Sequence, residues 1–118
     1  MLKSRTMAQM LLILAGTSTP STASPILIFD GYALKEACAD GSLYYTYGKC
    51  AGYIIGAHDE HVLAVGSDVN ICVSLEDGRT PEGLIAPVVA YLDRNPERLF
   101  EPASTLVISA LKESFVCR

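Results

Sequence analysis

The chain has 118 residues, a length for one domain, and it carries 13 aspartates and glutamates against 9 lysines and arginines. This acidic balance argues against nucleic acid and anionic membrane as partners, and it is compatible with a basic protein partner. No apolar stretch reaches the roughly 18 residues that a transmembrane helix needs, so the sequence predicts no membrane-spanning segment.

Residues 1–23 have the order of a secretory signal peptide. Lys3 and Arg5 give a positive start, an apolar run covers Met7–Gly16, and Ser21–Ala23 has the small-residue pattern of a cleavage site. The alternative is an ordinary buried helix at the N-terminus. We expect export, cleavage near Ala23 and a mature helical domain of residues 24–118.

Four helices are predicted in the mature part, because apolar residues recur there at intervals of three and four between turn-rich loops. They cover roughly Pro25–Ala39, Lys49–Val65, Thr80–Asn95 and Ser104–Cys117, and Ser104 or Thr105 is expected to cap the last. The stretch Ser42–Gly48 is predicted to be a loop. Its tyrosines, Tyr44, Tyr45 and Tyr47, make it the one local strand candidate.

The four cysteines, Cys38, Cys50, Cys72 and Cys117, all follow the predicted cleavage site. An even count in a short exported chain predicts disulfides over free thiols, and the lack of a C-x₂₋₄-C pair disfavours zinc. In an up-down bundle the first helix ends where the second begins, and the third begins where the fourth ends. We therefore expect Cys38–Cys50 and Cys72–Cys117 in an all-α, small disulfide-stapled four-helix bundle.

Two glycines on the second predicted helix, Gly52 and Gly56, stand four residues apart. Each costs about 1 kcal/mol of helix stability relative to alanine, so such a pair usually allows close approach of another backbone. The sequence leaves open whether that close helix packing lies within the fold or across a dimer.

The residues give no support for catalysis. His58 and His61 are three apart, but the H-E-x-x-H order is absent, and His58 lies on the apolar stripe, where a half-buried structural histidine is the better interpretation. No serine has the G-x-S-x-G frame and no phosphate-binding glycine loop is present. We expect no catalytic residue, no metal and no cofactor.

The loop Asn95–Ala103 is the predicted partner-binding site. Pro96 and Pro102 restrict its backbone, which reduces the entropy lost on binding. Between them lie the candidate contact residues, an apolar pair with a charge on each side, which is the makeup of an anchor with a polar rim: Arg98, Leu99, Phe100 and Glu101. The alternative is that Leu99 and Phe100 pack onto their own bundle.

The segment Cys50–Gly56 has the form C-x-G-Y-I-x-G, and further matches follow in order at Cys72, Val88–Leu92, Asn95-Pro96, Ala110-Leu111 and Cys117. In these segments the sequence resembles the Rap/Tai immunity proteins of type VI secretion systems. The resemblance covers roughly Tyr32 to Cys117, and its most specific part is the C-x-G-Y-I-x-G motif.

The resemblance implies a periplasmic, helical, disulfide-bonded protein that binds and blocks a peptidoglycan amidase effector, commonly as a homodimer. It also implies that the loop Asn95–Ala103 is presented to the amidase cleft. The alternative function is a general periplasmic protein of the same fold, such as an acid-stress chaperone, which would need apolar surface exposed on stress. An enzyme is the third hypothesis.

Overall fold

Four helices make up the described part of the chain, which in this computed structural model covers residues 23–39 and 44–118. They are α1 (Gly31–Ala39), α2 (Tyr44–Val65), α3 (Glu82–Arg94) and α4 (Ala103–Ser114). Within those residues there is no strand, only an isolated antiparallel bridge between Asp30 and Pro102. The all-α prediction is confirmed, whereas the predicted signal peptide lies almost wholly outside the described residues.

The first helix begins at Gly31, six residues later than predicted. Ahead of it the chain pairs with the segment that joins α3 to α4: the Phe29 carbonyl accepts a hydrogen bond from the Ala103 amide at 3.1 Å. The Asp30 carboxylate then accepts a hydrogen bond from the Ala33 amide at 2.9 Å, which caps the new helix. The apolar pattern after Pro25 therefore belongs to an extended segment.

The second helix begins at Tyr44, so the tyrosine-rich stretch is helical and its prediction as a loop or strand is wrong. The Tyr47 hydroxyl donates a hydrogen bond to the Glu82 carboxylate at the start of α3. This contact between residues 35 apart in sequence holds the first turn of α2 against α3. Tertiary contact has overridden the weak local preference.

The last helix also starts differently from its prediction. Neither Ser104 nor Thr105 caps α4, since the helix begins at Ala103 and no side chain caps it. The Ala103 amide is instead satisfied by the Phe29 carbonyl. A backbone partner from the N-terminal segment takes the place of the predicted side-chain cap.

The core lies where the apolar stripes of the four helices meet. Its largest side chains are fully buried: Leu34, Ile54, Val88, Leu92, Leu106, Val107 and Leu111. On α3 and α4 they recur at intervals of about four, the spacing of one helix face, as Val88 with Leu92 and Val107 with Leu111 do. Among the described residues, no helix is both long and apolar enough to cross a membrane.

Both disulfides join the cysteines that the sequence predicted. Cys38 at the end of α1 is bonded to Cys50 in α2, and Cys72 is bonded to Cys117, with Cα atoms 5.0 Å apart in each pair. Next to the second bond, the Cys72 amide donates to the Phe115 carbonyl at 2.8 Å. This disulfide therefore fastens the segment after α2 to the end of α4.

The backbone of α1 approaches the α3–α4 segment closely at Gly31. A Cβ atom there would lie 2.8 Å from the Leu99 Cα and 2.5 Å from a methyl carbon of Leu106. Both distances are shorter than van der Waals contact, so only glycine fits without displacement.

We expect Gly31→Ala to destabilise the protein by about 1–3 kcal/mol, because backbone must move to admit the methyl group. The matched control is Gly48→Ala on α2, where a Cβ atom meets nothing within 4 Å and should stabilise the helix by up to about 1 kcal/mol. Urea unfolding of both variants measures the difference. Equal stability of the two variants would contradict this account.

Candidate partner-binding site

The α3–α4 loop, residues 95–102, is held by its own hydrogen bonds. The Asn95 side-chain amide donates to the Tyr91 carbonyl at 2.8 Å, where α3 ends. A short 3-10 turn then covers Pro96–Arg98, and the Glu101 amide donates to the Arg98 carbonyl at 2.9 Å. The loop is therefore a succession of tight turns and not an open excursion.

The N-terminus of α1 supports the loop from a second side. The Tyr32 amide donates to the Leu99 carbonyl, and the Gly31 amide donates to the Glu101 carbonyl, each at 3.1 Å. These amides belong to the first turn of a helix, where no intrahelical acceptor is available. The contact satisfies them and fixes the loop against the bundle.

The predicted charges of the loop are paired with each other. Arg98 donates two hydrogen bonds to the Glu101 carboxylate, at 2.6 and 2.9 Å, and a third to the Tyr91 hydroxyl. Its guanidinium carbon also lies 5.7 Å from the centre of the Tyr91 ring. The hydrogen bonds to Glu101 raise the pKa of Arg98, and those from Arg98 lower the pKa of Glu101.

This lowered pKa predicts how loop stability depends on pH. Because Glu101 ionises more easily in the folded state, the stability that its ionised form contributes is present at neutral pH and lost as pH falls below its ordinary pKa of 4.5. We expect the melting-temperature difference between the wild type and Glu101→Gln to be constant from pH 7 to about pH 5 and to shrink below it. Glu113→Gln, which removes a more exposed ion pair with Arg94, is the control. A Glu101→Gln difference that grew on acidification would contradict the assignment.

The predicted apolar pair is divided between core and surface. Leu99 is 4% exposed and belongs to the core cluster, so its prediction as a partner contact is corrected: it packs onto its own bundle. Phe100, the next residue, is 68% exposed. Arg98, Phe100 and Glu101 are thus the surface residues of the predicted set.

Two tyrosines belong to this site although the sequence analysis did not select them. Tyr91 lies under Arg98, as described above, and Tyr32 lies beside the loop through the backbone bond to Leu99, with its side chain 58% exposed. Exposed aromatic residues such as Tyr32 are typical of binding surfaces, whereas Tyr91 is buried and supports Arg98 from below. Tyr91 could have been suspected because it lies four residues before Asn95 at the end of a predicted helix, whereas nothing local signals Tyr32.

Gly52 and Gly56 have no close neighbour on another element among the described residues. A Cβ atom at either position would meet nothing within 4 Å, and the same holds for Gly48 one turn earlier. Of the two alternatives for these glycines, close packing within the fold therefore has no support from the described residues. They form an open face of α2.

The two histidines stand apart in their surroundings. His58 Nδ1 lies 3.0 Å from an Asp59 carboxylate oxygen, whereas His61 Nε2 is buried with no hydrogen-bond partner in the described structure. Across the described residues, no group of three or more histidine, cysteine or acidic side chains is arranged to hold a metal ion.

The chain matches the model of a known protein family. The model of the Rap1a immunity proteins matches residues 30–117, which run from the capping aspartate of α1 to the last cysteine. No curated protein matches the chain. The matched region contains all four helices, both disulfides and the α3–α4 loop, and it is well over half of the sequence. The chain therefore belongs to the family of Rap1a immunity proteins, a family of binding proteins and not of enzymes.

Proposed function

We propose that this protein is a periplasmic immunity protein that binds and occludes a cell-wall amidase effector of a type VI secretion system. The observation that carries the proposal is the α3–α4 loop, which is fixed on both sides and presents Phe100 to solvent in a chain of this family. The leader-like N-terminus and the two disulfides support an oxidising compartment.

A protein that occludes a cleft needs a projecting segment that is already ordered before it binds. The paired charges of Arg98 and Glu101 and the support from α1 hold the loop before any partner arrives. Phe100 can then enter an apolar cleft without loss of backbone entropy, which raises affinity. Because Arg98 and Glu101 already form hydrogen bonds with each other, they can serve as a rim without leaving a charge unpaired.

We also propose that two copies associate through the open glycine face of α2. Exposed Tyr45 and Leu63 lie on the same side of the helix, seven residues before Gly52 and seven after Gly56, which is about two turns in each case, so two such faces could pack with backbones close together. Gly56→Leu should give a monomer in sedimentation velocity if the wild type is a dimer. An unchanged sedimentation coefficient for a dimeric wild type would place the interface elsewhere.

Periplasmic co-expression with a type VI amidase tests the main proposal. The wild type should prevent lysis and should co-purify with the amidase, and Phe100→Asp should do neither. Leu75→Asp is the matched control, because Leu75 is equally apolar and 90% exposed but lies outside the loop.

The chaperone alternative predicts a different result. A chaperone should suppress aggregation of unrelated proteins at acid pH, and substitution at Leu75 should matter as much as substitution at Phe100. Failure to bind any type VI amidase together with such activity would overturn the immunity proposal.

A further inference from the structure

A groove of about 590 Å³ lies at the start of α3, away from the α3–α4 loop. Its walls are mainly apolar and come from α2, from the segment that follows Cys72 and from α3: Ile55, Val73, Leu75, Pro81 and Leu84. The thirteen residues of α3 separate this groove from the partner loop, a distance of about 20 Å. The volume falls in the range of small-molecule sites.

Residues 74–80, which form one wall of the groove, are held in place by hydrogen bonds. The Ser74 hydroxyl lies 2.7 Å from an Asp77 carboxylate oxygen, and the Gly78 amide donates to the Ser74 carbonyl at 2.9 Å. Gly83 lets this turn sit directly on α3, because a Cβ atom there would overlap the Asp77 carbonyl. The groove therefore exists before any ligand binds.

One positive charge at the groove has no partner among the described residues. Arg79 lines the groove and forms no ion pair there, although the chain as a whole is acidic. The neighbouring carboxylates are engaged: Asp59 with His58, Asp77 with Ser74, and Glu82 with Tyr47. The remaining carboxylate, that of Glu76, belongs to the segment 74–80 but does not line the groove.

We propose that this groove binds a small molecule that carries one carboxylate on an apolar body. The carboxylate would pair with the Arg79 guanidinium, which presents donors in the geometry that a carboxylate accepts. The apolar body would lie against Ile55, Val73 and Leu84. Half-buried His58 lies at the same edge and can donate or accept through its free ring nitrogen.

Titration of the mature protein with N-acetyl-leucine, followed by amide chemical shifts, tests the proposal. We expect saturable shifts confined to residues 55–59 and 73–84, with a dissociation constant on the order of 1 mM, as for a ligand of this size. N-acetyl-leucinamide, which lacks the charge, should bind about tenfold more weakly, because a hydrogen-bonded charge pair is lost.

Two variants test whether the carboxylate of the ligand pairs with Arg79. Arg79→Gln should bind the acid and the amide equally, and Arg94→Gln, which removes an exposed arginine at the other end of α3, should behave as the wild type. The proposal is overturned if shifts are absent well above the expected dissociation constant, if acid and amide bind alike to the wild type, or if the shifts lie elsewhere. None of these results depends on the α3–α4 loop. The immunity proposal is therefore tested separately, by the co-expression experiment.

Discussion

Phe100→Ala should weaken binding of the proposed amidase partner by about 2 kcal/mol or more, roughly thirtyfold, while the melting temperature of the variant stays close to that of the wild type. The side chain is 68% exposed in the free protein, so its removal takes little from the core. In the complex the same ring is expected to be buried at the centre of the contact, where aromatic anchors contribute most of the affinity.

The neighbouring residue provides a matched control within the same loop. Leu99 is 4% exposed and packs in the core, so Leu99→Ala should cost about 2–5 kcal/mol of stability. The affinity of Leu99→Ala for the partner, measured on the fraction that remains folded, should fall only to the extent that the substitution displaces the loop. Thermal melting gives the stability of each variant, and calorimetric titration gives the affinity of each for the partner. A large loss of stability in Phe100→Ala with unchanged affinity would refute the assignment of Phe100 to the interface.

The Cys72–Cys117 disulfide should contribute more to stability than the Cys38–Cys50 disulfide. Its cysteines are 45 residues apart, and closing a loop of that length in the unfolded chain contributes about 4 kcal/mol. A small domain is stable by only 5–15 kcal/mol or so, and the bond also fastens residues 72–74, which lead into the groove, to the end of α4. We therefore expect Cys72→Ala/Cys117→Ala to be partly unfolded at 37 °C.

The other disulfide serves as the comparison. Cys38 and Cys50 are 12 residues apart, so Cys38→Ala/Cys50→Ala should lose less, about 3 kcal/mol. Urea unfolding of both double variants and of the oxidised wild type gives the two differences. If removal of Cys38–Cys50 proved more destabilising than removal of Cys72–Cys117, native-state packing around Cys50, which is buried, would outweigh chain entropy.

Helix order, the disulfide pairing and part of the core could be predicted from the sequence. An apolar stripe with a period of three and four is local information, since every residue on the stripe faces the same side wherever the helix is placed. Leu84, Val88 and Leu92 on α3 are an example, and all three are buried. The cysteines lie near the ends of predicted elements, so the up-down topology was enough to pair them.

The structure of the loop and of the segment before α1 was decided by contacts that no local pattern contains. Leu99 and Phe100 are adjacent, apolar and in a loop without a period, yet one is core and the other surface. The Tyr32 amide holds the Leu99 carbonyl, and that bond exists only because Gly31 lets α1 come close. The hydrogen bond from Tyr47 in the first turn of α2 to Glu82 is likewise a contact between residues 35 apart that no local pattern contains. Sequence by itself determined which faces of the helices are buried, since periodicity is a property of neighbouring residues. Only the tertiary structure decided which loop residue is free to meet a partner, because burial outside regular elements depends on what the rest of the chain places against it.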